Sequence, residues 1–226
     1  MKSPQICFSL VVAAAFSLSP ILALEPVATW EGADLSVRSA DVVWPDAKGS
    51  HDLKGQTVGG ITEGKKDGVG SASKTVEFNG EQSVPLRTVN PFPSVLQDLQ
   101  IEMVMSLAES SVEEMGTVVR MGTQWEIRAD YKRKGLSFIV WHDKDHYTHV
   151  FLPVRPGEWV NLTATMAEGA LRLKIDEAEE ETPLKGELRV EETPVPLAVG
   201  ATKGRPQDGS EYRPFTGAIQ SLKVSM

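Results

Sequence analysis

From residue 99 to the C-terminus, short alternations of apolar and polar residues follow one another, each stopped by glycine or proline, and this pattern restricts the fold more than any other feature. Candidate strands run over 99–107, 117–121, 125–130, 136–142, 147–154, 159–166, 171–176, 187–190, 197–201 and 218–224. Gly116, Gly122, Gly135, Gly157, Gly169 and Gly186 fall in the turns between them. Period-two alternation puts every second side chain on one face of a sheet, so each strand has one face to bury and one to leave in water. Many such strands in series predict an all-β chain, an antiparallel sandwich or barrel. Residues 94–105 carry a competing signal, because Val95, Leu99 and Met103 also have helical spacing.

The first half is less regular. Residues 26–46 are weakly patterned and hold Trp30 and Trp44, and the Gly-rich polar stretch 48–73 reads as surface loop. Residues 74–86 read as strand, turn, strand: Val76 and Phe78 alternate with polar residues, Asn79-Gly80 makes the turn, and Val84 and Leu86 resume the alternation. Asn-Gly is a strong hairpin signal because both residues tolerate positive φ.

Residues 1–24 differ from the rest. Lys2, an apolar run over 6–18, a Ser19-Pro20 break and the small Ala23 form a secretory signal peptide. The run is shorter than the roughly 18–20 apolar residues that cross a bilayer, and no later segment is apolar enough to span one. Residues 25–226 are then one exported domain, secreted or placed in the periplasm or at the cell surface. Its only cysteine, Cys7, lies in the leader, so the mature chain has neither disulfide nor thiol nucleophile. Stability must come from an apolar core, and about 200 residues suffice for one. The net charge of −8 repels phosphate backbones and anionic lipid, which argues against nucleic acid as a partner. The one basic cluster, Lys132-Arg133-Lys134, reads as a solvated turn.

Several short motifs follow one another along the chain: Asp52-Leu53-Lys54-Gly55, Phe78-Asn79-Gly80, Gly157-Glu158-Trp159 with Leu162 and Ala164, the run from Leu171 to Asp176, Leu197-Ala198-Val199-Gly200, and Phe215-Thr216-Gly217-Ala218-Ile219. In that order they resemble laminin-G-like domains of the concanavalin A-like superfamily. Glu177 departs from the pattern, where the family has glycine after the aspartate. The resemblance covers nearly all of residues 25–226. It implies a jelly roll that acts as a non-catalytic binding module, with glycan or an extracellular protein as partner. Trp159 and Phe215 are expected to fill or cap the sandwich, and Gly217 to close its final corner.

The segment 141–149 gathers the candidate chemistry. If Asp143–Asp145 is a three-residue hairpin loop, His142 faces His146 across the ladder, and imidazole pairs of this kind are candidate metal ligands. The same register puts Leu136, Phe138, Val140, Thr148, Val150 and Leu152 on a core face. Ile139, Trp141, Tyr147, His149 and Phe151 lie on the other, and the strip Trp141, Tyr147 and His149 is the candidate sugar platform, unless a loop or strand covers it. The acidic run 174–181 resembles the E-x-D-x-x-E strand of laminarinase-type hydrolases, but Lys174 stands where the nucleophile belongs, so Asp176 and Glu179 make an incomplete pair and the run reads as a turn. The alternative function is polysaccharide cleavage by a hydrolase or lyase, using His142, His146 or Tyr147 with Glu179. No cofactor is expected beyond calcium, for which Asp34, Asp46, Asp52 and Asp208 are the candidate ligands. Asn161-Leu162-Thr163 fits a glycosylation sequon inside a strand.

Overall fold

The computed structural model describes residues 24–38, 40–56, 60–66, 73–80, 85–93, 98–108, 114–201 and 214–226. Residues 1–23, with Cys7 among them, and Val84, Val95 and Asp208 lie outside them. The described chain forms two antiparallel sheets packed face to face, a jelly-roll-like β-sandwich in which the only helical element is a single 3-10 turn, Gly32–Asp34.

The first sheet holds β1 (Pro26–Glu31), β5 (Ile61–Lys66), β6 (Ser73–Asn79), β8 (Leu99–Leu107), β13 (Trp159–Ala167), β14 (Ala170–Ile175), β15 (Ala178–Pro183) and β17 (Thr216–Ser225). Its order is β15-β14-β13-β8-β17-β6-β5, with β1 also paired to β17. The second sheet holds β2 (Ser36–Arg38), β3 (Asp41–Trp44), β4 (Leu53–Gln56), β7 (Leu86–Thr88), β9 (Met115–Met121), β10 (Trp125–Asp130), β11 (Gly135–Trp141), β12 (Tyr147–Pro153) and β16 (Leu197–Val199). It runs β12-β11-β10-β9-β16-β7-β4-β3-β2.

β8 decides the ambiguity at 94–105. Its residues alternate buried and half-buried along the full strand, because the sheet offers Leu99, Ile101, Met103, Met105 and Leu107 one continuous inner face. The core lies between the inner faces and includes Phe138, Val150, Leu162, Leu173, Phe215 and Leu222. Trp30 and Trp44 are fully buried and each places its indole N–H on a backbone carbonyl, that of His51 and of Glu31 respectively. Burial of large aromatics with their polar edge satisfied anchors the weakly patterned opening of the domain.

Four expectations are corrected. Residues 74–86 are not a hairpin: β6 belongs to the first sheet and β7 to the second, so the chain crosses the sandwich after Asn79-Gly80. The stretch 48–73 is not all loop, since it contributes β4 and β5, each pinned by one buried residue, Leu53 and Ile61. No strand forms at 187–190. That segment is a strap across the ends of β10 and β11, where the Arg189 N–H donates to the Trp141 carbonyl and its carbonyl accepts from the Gln124 side-chain amide. The acidic run ending at Glu181 is not simply a turn: β15 is an edge strand, paired to β14 by its backbone.

Trp159 is half-buried on the outward side of β13, and Val160, Leu162, Ala164 and Met166 take the core side instead. The β14–β15 turn is built on Asp176 at φ 52°, with Glu177 keeping negative φ, so the missing glycine is bypassed by moving the left-handed residue one place back. Gly217 does not close a corner: it lies inside β17, paired with Phe78 and Leu107, and at φ 153° a Cβ there would meet the Ser106 carbonyl at 2.2 Å and the Phe215 ring at 2.6 Å.

Candidate functional site

The hairpin β11–β12 forms in the expected register, with Trp141 opposite Tyr147 and Ile139 opposite His149. Leu136, Phe138, Val140, Val150 and Leu152 face the core, so Trp141, Tyr147, His149 and Phe151 share the outer face of the second sheet. Their rings run as a stair: the Trp141 and Tyr147 centroids are 5.0 Å apart at 58°, and those of Tyr147 and His149 are 5.6 Å apart at 55°. These are tilted contacts of the kind aromatic quadrupoles favour. The strip is only partly open. Tyr147 is 48% exposed and His149 is exposed, but Trp141 is 7% exposed. Phe151 is capped by the Arg133 guanidinium, 3.7 Å from its ring centre, and rests on Gly135, where a Cβ would come within 2.4 Å of the ring.

The two histidines of the hairpin loop are held by different partners. The His142 Nδ1–H donates to the Glu187 carbonyl at 2.9 Å, which leaves Nε2 to accept from the Thr148 hydroxyl at 2.7 Å, so both ring nitrogens are occupied. His146 Nδ1 instead meets the Asp143 carboxylate at 2.7 Å, and that carboxylate also accepts from the backbone N–H groups of Asp145 and His146. The backbone bonds to Asp145 and His146, together with the His146 ring, hold the Asp143 carboxyl down to about 2, and the same carboxylate raises the His146 pKa. Among the described residues no group of three or more histidine, cysteine or acidic side chains converges as a metal site.

Two of the candidate calcium ligands, Asp46 and Asp52, serve as loop staples. Asp46 accepts from the backbone N–H groups of Thr29, Lys48, Ser50 and His51, and Asp52 accepts from that of Asp46. Burial alone would raise the Asp46 pKa, but the four donors outweigh it and hold it below the usual carboxylate value. Asp176 likewise takes the backbone and side-chain N–H groups of Asn161. Glu179 stands opposite Lys174 on the first sheet, on a different face of the sandwich from Tyr147, so the hydrolase grouping is not assembled.

The sequence reading missed a charged network beside the strip. A single cross-strand row joins His149, Ile139, Glu126, Arg120, Ala198 and Arg87 across the outer face of the second sheet. Glu126 is completely buried within it. Its carboxylate takes Nη2 and Nε of Arg128 at 2.8 and 3.1 Å and the Thr117 hydroxyl at 2.8 Å, with Arg120 at 3.8 Å. Burial pushes the Glu126 pKa up, yet the two guanidiniums and the hydroxyl overcome it and hold it below the ordinary value. The signal lay in β10: Glu126 and Arg128, two apart, must share the face opposite Trp125 and Ile127.

No protein-family model matches the chain, and no curated protein matches it. Solved structures do. The receptor-binding domain of botulinum neurotoxin type G superposes with a TM-score of 0.60 at 8% identity, over 88% of this chain and 47% of that one. A Trypanosoma rangeli sialidase in complex with a difluorinated nononic acid gives 0.56 at 12% identity, over 88% of this chain and 30% of that one. The botulinum neurotoxin type C structure whose cell entry is described as dependent on two ganglioside molecules gives 0.54 at 12% identity, over 88% and 47%. The chain therefore spans less than half the length of each of these proteins, and what it shares with them is a β-sandwich fold.

Proposed function

We propose that the domain is an exported, non-catalytic carbohydrate-binding module of laminin-G-like type that takes a glycan on the outer face of the second sheet. The half-exposed Tyr147 ring carries this reading. It contacts the buried Trp141 and the exposed His149, on a hairpin whose other face is core. Sugar rings stack their apolar faces on such aromatics, while imidazole and phenol supply hydrogen bonds to hydroxyls. Trp141 acts as the support that fixes the Tyr147 ring. The glycan ligands named for the sialidase and for the type C toxin support the class of ligand. Removal of residues 1–24 on export belongs to the same reading.

Affinity electrophoresis through gels cast with neutral and acidic polysaccharides tests it. Retardation of the native protein, lost in Tyr147→Ala at an unchanged melting temperature and unaccompanied by release of reducing ends, is the expected result. Turnover of the retained polysaccharide, or equal retardation of the variant, would overturn it.

A further inference from the structure

The basic turn between β10 and β11 reaches the far end of the aromatic strip. Tyr147, His149 and Phe151 alternate along β12 and share its outer face, so Phe151 stands about 14 Å from Tyr147, longer than one sugar ring. The Phe151 ring is already engaged: it packs on Gly135 and carries the Arg133 guanidinium 3.7 Å from its centre. What that end offers a ligand is therefore the guanidinium. Its side chain is 54% exposed, and among the described residues it donates no hydrogen bond. Asp130, the carboxylate in ion-pair contact with it, accepts the Arg133 backbone N–H on one oxygen at 2.7 Å and holds the other 3.9 Å from Nη1, beyond hydrogen-bond reach. Contact with the ring fixes the fork, and its five N–H donors are left for an acceptor.

The other charges nearby are matched or of the same sign. Glu126 holds Arg128 and Arg120, Lys132 pairs with Glu114 at 3.8 Å, and the exposed Lys134 adds a second cation beside Arg133. At the Tyr147 end the hairpin loop sets Asp143 and Asp145 against Lys144, so the excess of cations belongs to the Arg133 end alone. We propose that the glycan on the strip carries a uronic acid unit, seated at the Phe151 end with its carboxylate on Arg133. This rests on Tyr147 being a sugar platform. A planar carboxylate meets the guanidinium fork through two parallel hydrogen bonds, which a hydroxyl cannot do. The net charge of −8 does not forbid it, because charges are screened beyond about 8 Å at physiological ionic strength and the local cations decide.

Calorimetric titration with oligosaccharides of galacturonate, mannuronate and glucuronate, each alongside its carboxyl-reduced counterpart, tests the proposal. The native protein is expected to bind at least one acidic member about tenfold more tightly than its reduced form. Arg133→Gln removes the charge at similar length and is expected to bind both forms alike, at the weaker level. Should that variant melt lower than the native protein, Arg133→Lys keeps a charge without the fork and is expected to lose most of the preference. Tyr147→Ala is expected to weaken both forms. Equal native affinity for both forms, lost in Tyr147→Ala, would overturn the acidic unit and leave the platform standing. Full acidic affinity in Tyr147→Ala would instead overturn the platform and leave Arg133 a site of its own. No binding of any acidic member, or an undiminished preference in the Arg133 variants, would overturn the proposal.

Discussion

Replacing Glu126 by glutamine keeps the volume and an acceptor for Thr117 but withdraws the charge from between Arg128 and Arg120. Breaking a buried ion pair from one side costs about 3–5 kcal/mol, mostly the desolvation of the charge left behind. Here the arginines are 14% and 19% exposed, so they can turn partly toward water, which sets the expected cost at the lower end, about 3 kcal/mol. For a domain of this size each kcal/mol moves the melting temperature by about 2–4 °C, so a fall of about 6–12 °C is expected. Urea unfolding should show a lower midpoint at an unchanged slope, because the surface exposed is the same. The difference must also depend on pH. The folded-state pKa of Glu126 lies below its unfolded value of 4.5, so its contribution is full above that value and is lost as pH falls through the folded one. Native and Glu126→Gln proteins should therefore converge in stability in acid. A melting shift under about 2 °C, or a difference that persists undiminished into strong acid, would show that the network does not hold this face.

Trp141→Ala should cost about 3–5 kcal/mol by emptying a buried site, whereas Tyr147→Ala should leave the melting temperature nearly unchanged; paired thermal melts check this. Gly200 sits at φ 88° where a Cβ would come within 2.1 Å of the Phe78 ring, so Gly200→Ala should destabilise by more than about 1 kcal/mol in urea unfolding. The Asp143–His146 contact stabilises the hairpin loop in a bounded window. Asp143, pushed down to about 2, contributes above its ordinary 3.8 and loses that contribution as pH falls through about 2. His146, raised, contributes below its ordinary 6.5 and loses that as pH rises through the folded value. Amide exchange of Asp145 and His146, corrected for intrinsic rates, should be slowest between those limits, and a flat profile would remove the contact. Mass analysis of protein recovered after export should give a chain beginning at Glu25.

Most of the strands that could be read from the sequence have a core face of at least three apolar residues; β6, marked by Val76 and Phe78 alone, is the exception. In β8, β11, β12 and β13 alternation alone fixes which side chains face inward, and the Trp141–Tyr147 pairing follows from the three-residue loop. β4, β5 and β15 escaped notice because one or no apolar residue marks each; neighbouring strands and backbone pairing hold them. Asn79-Gly80 misled because a local turn signal says nothing about whether the next strand joins the same sheet. The site was half legible. Periodicity gives the face a residue points to, but not what lies over it, so Trp141 was placed correctly and its burial was not. Glu126 and Arg128 were readable as neighbours on one face, yet the closure of their network needed Thr117 and Arg120, brought in from β9 by a register that includes a bulge.

The proposed glycan platform is tested most directly by a crystal structure of the domain with an oligosaccharide that retards it in gels. A sugar ring lying against Tyr147, with a hydroxyl on His149 and Trp141 unmoved, is the predicted result. An oligosaccharide bound with the β11–β12 face bare would contradict it.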